Sequence, residues 1–212
     1  KGIGRIVERL PYEDATQAID FLFSLFEQRD NENLFHGACL SLAQFTLRGV
    51  ILPSRLKEVI EVLKKALVFE APRVAHSVSE GARDSGCFIC WALARTYDKT
   101  TLAPFALEIA QSLVNVFLFD RSVNVRRSSS AAFQENVGRH GLFPHGLELI
   151  HVADFLTVSS RSGCYSMIAP FVAKFDEYRD SMFQHLATHS IKHWDEDIRL
   201  SAASTFQILA RS

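Results

Sequence analysis

Five segments of this chain share one register, and that repetition limits the possible folds more than any single motif does. The segments begin at Leu34, Ala82, Val125, Ser160 and Ile198, at intervals of 48, 43, 35 and 38 residues. The next residue is Phe35, Arg83, Arg126, Arg161 and Arg199 in turn, so four of the five carry arginine at one place. Four and five places after the leader come Ala38 and Cys39, Gly86 and Cys87, Ser129 and Ser130, Cys164 and Tyr165, Ala202 and Ala203; all but the tyrosine are small. Eight places after it come Leu42, Cys90, Phe133, Ile168 and Phe206, which suit a core. A period near forty built this way marks an array of paired helices, each pair burying its apolar face against its neighbours.

The pattern along the chain fits helix, short turn, helix. An apolar stripe from Ala15 to Phe26 follows Pro11 and Tyr12, and Asn31 or Asn33 offers an N-cap for a second helix ending near Arg48, where Gly49 can close it in the left-handed conformation. A second pair begins after Pro53 and ends at Tyr97, with Glu70 to Glu80 as a long connection; a third runs from about Thr101 to Val137, with Asp120 at its turn. Glycines at 138, 141 and 146 with Pro144 make residues 138–146 an irregular loop. A shorter helix over about 145–156 leads into 164–175, and the last pair is 177–191 and 198–210. With no sustained period-two alternation, the expected fold is all-α: an α-solenoid of about five HEAT-like helix pairs. It forms a single segment over 1–212, with repeats roughly 12–49, 53–97, 101–140, 145–175 and 176–212. The start at Lys1 and the helical ending suggest a piece of a larger protein.

Charge and cysteine usage narrow the function classes. A net charge of −1 gives no field to attract phosphate, so nucleic acid is not an expected partner. No apolar run approaches the roughly 20 residues that span a bilayer, and no membrane insertion is expected. Cys39, Cys87, Cys90 and Cys164 fall inside helices, mostly at the small positions, which reads as packing in a reducing, cytosolic compartment.

Chemical motifs are weak. Cys87-x-x-Cys90 is half a zinc or redox site with no second half; the alternative is helix packing. His185, His189 and His193 recur every four residues without an intervening glutamate, so a solvated histidine face competes with a metal site. Neither a nucleophile elbow nor a phosphate loop is present. No catalytic residue, cofactor or metal is expected, and the chain is read as a non-enzyme.

The repeat resembles the HEAT repeat, in which an aspartate turn precedes Val-Arg and closely spaced alanines; Asp120, Val125, Arg126 and Ala132 fit, as do Ile198, Arg199, Ala202 and Ala203. The small sites let helices approach closely. The arginines are expected to be structural, hydrogen-bonding the carboxylate of a neighbouring repeat's turn and forming a ladder. The segment from Phe133 to Gly146 stands apart. Arg139, His140, Phe143 and His145 are candidate partner contacts, the alternative being a connection with Phe143 tucked into the core.

Several stretches, Ala38 to Ala43, Leu52 to Leu56, Cys90 to Arg95, Ala131 to Gly146 and Ser190 to Asp195, together resemble the tubulin-folding cofactor D family. The resemblance covers most of 30–212; the first thirty residues are either family sequence or a divergent capping helix. It implies a non-catalytic chaperone scaffold, cytoplasmic and cytoskeleton-associated. The implied partners are beta-tubulin, tubulin-folding cofactors C and E and an Arf-like small GTPase, and the implied task is assembly and disassembly of the alpha-beta tubulin dimer. The alternative is a generic HEAT scaffold of the transport-receptor or phosphatase-scaffold type.

Overall fold

Helix-forming residues dominate each segment because their apolar positions recur with the helical period, and in the computed structural model, which describes residues 2–27, 31–70 and 79–210, the described residues contain helix and no strand. The chain divides into two compact units, Lys1–Phe105 and Ala106–Ser212.

The first unit holds α1 (Gly2–Val7), α2 (Tyr12–Leu25), α3 (Glu32–Leu47), α4 (Leu56–Leu67), α5 (Glu80–Thr96) and α6 (Lys99–Leu102). Asn31 caps α3, its side chain accepting from the Leu34 amide at 3.1 Å, and Gly49 closes it at φ +66°. The α2 and α3 pair, α4 and α5 fall where periodicity places them, but the short α1 has no counterpart in the sequence reading. Residues 71–78 of the long connection lie outside the described residues. The small register positions allow close packing: a β-carbon on Gly86 would sit 3.0 Å from Leu67 and 3.3 Å from Ala66 on α4. In the first repeat, Phe35 takes the arginine's place and instead stacks on Phe69 (4.2 Å), with Phe26 edge-on at 5.3 Å.

The second unit holds α7 (Ala106–Phe119), α8 (Val123–His140), α9 (Gly146–Val152), α10 (Arg161–Gly163), α11 (Ala169–Val172), α12 (Asp176–His185) and α13 (Glu196–Leu209). π-Helical turns at Cys164–Ile168 and Leu186–Ser190 interrupt the regular helix. Phe133 ties the core together, packing on Phe117 at 5.6 Å and on Phe143 at 5.1 Å.

Three expectations change here. The irregular loop is shorter than 138–146, because α8 continues through an exposed Gly138 to His140 and stops only at Gly141, whose φ of +59° is left-handed. A single glycine costs a helix only about 1 kcal/mol against alanine, less than the burial of Phe133 and Val137 returns. The following helix spans only Gly146–Val152 rather than 145–156. Finally, Lys99–Phe119 is long and apolar enough to cross a bilayer by length and composition, contrary to the sequence expectation. Most of its apolar side chains, Ile109, Leu113, Val114 and Phe117 among them, are buried within the fold, and Pro104 lies in the 3-10 turn that breaks the stretch at Ala103–Phe105. An all-round apolar helix of this kind is a core helix.

Candidate interaction surface

The register arginines begin their helices, so their side chains lean back toward the preceding turn, where the ends of helices leave carbonyls without partners. Arg126, only 2% exposed, donates to the carbonyls of Asp120 (2.8 Å) and Arg121 (3.2 Å) in its own turn and of Val158 (2.7 Å) and Ser159 (2.9 Å) in the next. Arg83 donates to the Phe69 carbonyl, and Arg199 to those of His193 and Trp194. For Arg126 and Arg199 the acceptors are therefore main-chain carbonyls, not the turn carboxylates expected. Arg161 does reach carboxylates of the next turn, Asp197 at 3.5 Å and Asp195 at 3.8 Å. The turn aspartates have another use: Asp120 accepts from the Ser122 amide and Asp195 from that of Asp197, fixing the start of the next helix.

The four candidate contact residues do not share one environment. Arg139 lies exposed on the last turn of α8 and pairs with Glu135 one turn back. His140, half-buried, closes the helix. Phe143 is 6% exposed and packs on Phe133, so of the two readings its side chain takes the core. His145 has φ +54°, the one positive φ outside glycine among the described residues. Its ring stacks on Phe175 at 3.9 Å with nitrogens 3.8 Å from Glu148 and 3.5 Å from Glu177. The connection is pinned: Tyr178 donates to the Pro144 carbonyl at 2.6 Å, and a β-carbon on Gly146 would meet Val137 at 2.6 Å.

Neither weak motif gathers ligands. Among the described residues no three His, Cys, Asp or Glu side chains lie close enough to hold a metal ion. Cys87 and Cys90 are buried, and burial pushes the Cys90 thiol well up, that of Cys39 to about 12 and that of Cys164 to about 11. Buried thiols held protonated are poor nucleophiles. The histidines do not form a solvated face: His185 is half-buried, stacked on Phe119 at 5.5 Å with His189 at 5.0 Å, and burial lowers its pKa to about 3. His189 stays beside His185 but is exposed, and His193 is half-buried.

What the surface does offer is aromatic side chains, each covered on one side by a guanidinium. Arg95 lies 4.6 Å over Trp91, itself stacked on Phe88; Arg121 lies 5.3 Å over the exposed Trp194; Arg127 lies 4.6 Å over the exposed Phe155. Such tryptophan, phenylalanine and arginine groupings are typical anchors of protein interfaces. The sequence reading missed them. The apolar pair Phe155-Leu156 beside a turn aspartate was the available signal.

Comparison with known proteins fixes the family. The sequence model for tubulin-specific chaperone D-like ARM repeats matches residues 1–147. The chain is 41% identical over 216 aligned residues to tubulin-specific chaperone D of Dictyostelium discoideum, covering 99% of this chain and 15% of that protein. The chain belongs to the tubulin-specific chaperone D family. To tubulin-folding cofactor D of Schizosaccharomyces pombe it is 30% identical, covering 98% of this chain and 20% of that one. The family match takes in the first thirty residues, so they are family sequence. The ARM repeat of that family also suits the short helix α1 ahead of α2 and α3, since armadillo repeats use two or three helices. This chain spans about a fifth or less of its curated chaperone D relatives. No solved structure matches it significantly.

Proposed function

We propose that this chain is a tubulin-binding, non-catalytic segment of a chaperone D protein in the cytoplasm, taking part in assembly and disassembly of the alpha-beta tubulin dimer. Its direct partner is beta-tubulin, and cofactors C and E and an Arf-like small GTPase act with it. The observation that carries this reading is the 41% identity across 99% of the chain to a relative named as a tubulin-specific chaperone. Buried protonated thiols and a half-buried His185 stacked on Phe119 agree with a scaffold that binds rather than reacts. We assign the end of α8 and the connection after it to the contact: the exposed Arg139 and the half-buried His140 and His145 face the partner, while Phe143 anchors the connection from below.

The test replaces the matching segment of the fission yeast relative with this chain and measures retention of beta-tubulin and of an Arf-like GTPase. Binding at the parental level is expected. A replacement that folds but retains neither partner overturns the proposal. Arg139→Ala combined with His140→Ala should weaken tubulin retention without lowering the melting temperature; a large loss of stability would instead make these residues part of the fold.

A further inference from the structure

Arg127 is the residue after the buried ladder arginine, and its environment differs from those of the ladder. Its guanidinium face lies on Phe155, and its Nε donates to Ser159 Oγ at 2.9 Å. Among the described residues it makes no ion pair, so its charge is uncompensated by a carboxylate. The turn's own carboxylate, Asp154, is committed to the amides of Leu156 (2.8 Å) and Thr157 (2.7 Å). With one face stacked and Nε engaged, the Nη1 and Nη2 edge is left, which is the edge that grips a carboxylate with two parallel hydrogen bonds.

Beside it stand Phe155, 50% exposed, and Leu156, 73% exposed. The turn that carries them is clamped to α8: Ser130 donates to the Ala153 carbonyl, Arg126 to those of Val158 and Ser159, and Arg127 to the Ser159 hydroxyl. An apolar pair and an oriented cation are thus held in place before any ligand arrives, which lowers the ordering cost of binding.

We propose that Arg127, Phe155 and Leu156 form a docking surface for an acidic segment of a partner protein, its carboxylate on the Arg127 fork and an adjacent aliphatic or aromatic side chain on Phe155 and Leu156. The charge complementarity is the argument for an acidic rather than a neutral or basic partner. The assignment stands independently of whether that partner is tubulin.

The whole chain is titrated with a fluorescein-labelled Glu-Glu-Leu-Phe-Glu peptide and with its Gln-Gln-Leu-Phe-Gln counterpart, followed by anisotropy, with inorganic phosphate as competitor. The acidic peptide should bind at least about tenfold more tightly than the amide, as expected for a charge-assisted bidentate pair. Arg127→Ala should remove that preference, and Arg127→Lys should restore only part of it, since a point charge lacks the fork. Leu156 is too exposed to bear on folding, so Leu156→Asp should repel the acidic peptide while leaving thermal melting unchanged. Displacement of the acidic peptide by inorganic phosphate as strongly as by unlabelled acidic peptide would show a simple anion site and overturn the proposal. Equal binding of the two peptides, or wild-type binding by Leu156→Asp, would overturn it equally.

Discussion

Residues at equivalent register positions do unequal work, and their surroundings decide how much. Arg126 is buried and serves four carbonyls, so replacing it with lysine keeps the charge but leaves carbonyls unpaired, at a cost of roughly 2 to 4 kcal/mol. Arg161→Ala removes only long, partly exposed ion pairs and should cost under about 1 kcal/mol. Urea unfolding midpoints compare the two; similar losses would contradict the distinction. His185 supplies a pH test. Its pKa is near 3 when folded against 6.5 ordinarily, so below pH 6.5 the unfolded chain binds the extra proton and stability falls as pH drops toward 3. The melting temperature of His185→Gln should therefore fall less between pH 7 and pH 4 than that of the parent. The register identifies which arginines hold common positions, but not their acceptors. Acceptors depend on where a turn's carbonyls lie in space.

Elements depart from regularity where a particular residue forces it. The π turn at Cys164–Ile168 precedes Pro170, which has no N–H to give. The Ala169 amide bonds the Cys164 carbonyl, five residues back, and the Tyr165 carbonyl is left to accept from Thr205 Oγ1 on α13 at 3.0 Å. Thr205→Val should thus cost about 1 to 3 kcal/mol by stranding that carbonyl. In a Pro170→Ala background the cost should shrink, because alanine at that position restores a donor; a double-mutant cycle with no coupling would refute this account. The proline is legible in the sequence, whereas the threonine that compensates for it lies 35 positions further on and is not. The helix end at Gly141 shows the converse. Several glycines look equally able to break α8, and packing of Phe133 and Val137 chooses which one does.

The whole molecule has two compact units, and its cysteines report on both. Cys39 and Cys90 lie in the first unit and Cys164 in the second, all buried with raised pKa values. A thiol-reactive dye at pH 8 should leave all three unlabelled in the native protein and label them only as urea unfolds the unit that holds each; rapid native labelling would mean the cores open locally. The sequence by itself determined the all-helical class, the repeat and its small packing sites, and the family, because helical period and residue size are properties written along the chain. Tertiary structure alone decided that Arg126 joins two turns through their carbonyls, that Phe143 is core while Phe155 and Leu156 are surface, and that Arg127 is held without a carboxylate. Those outcomes depend on which turns meet across a stack. Contacts between residues some thirty positions apart are set by how helices pack, and no local pattern encodes them.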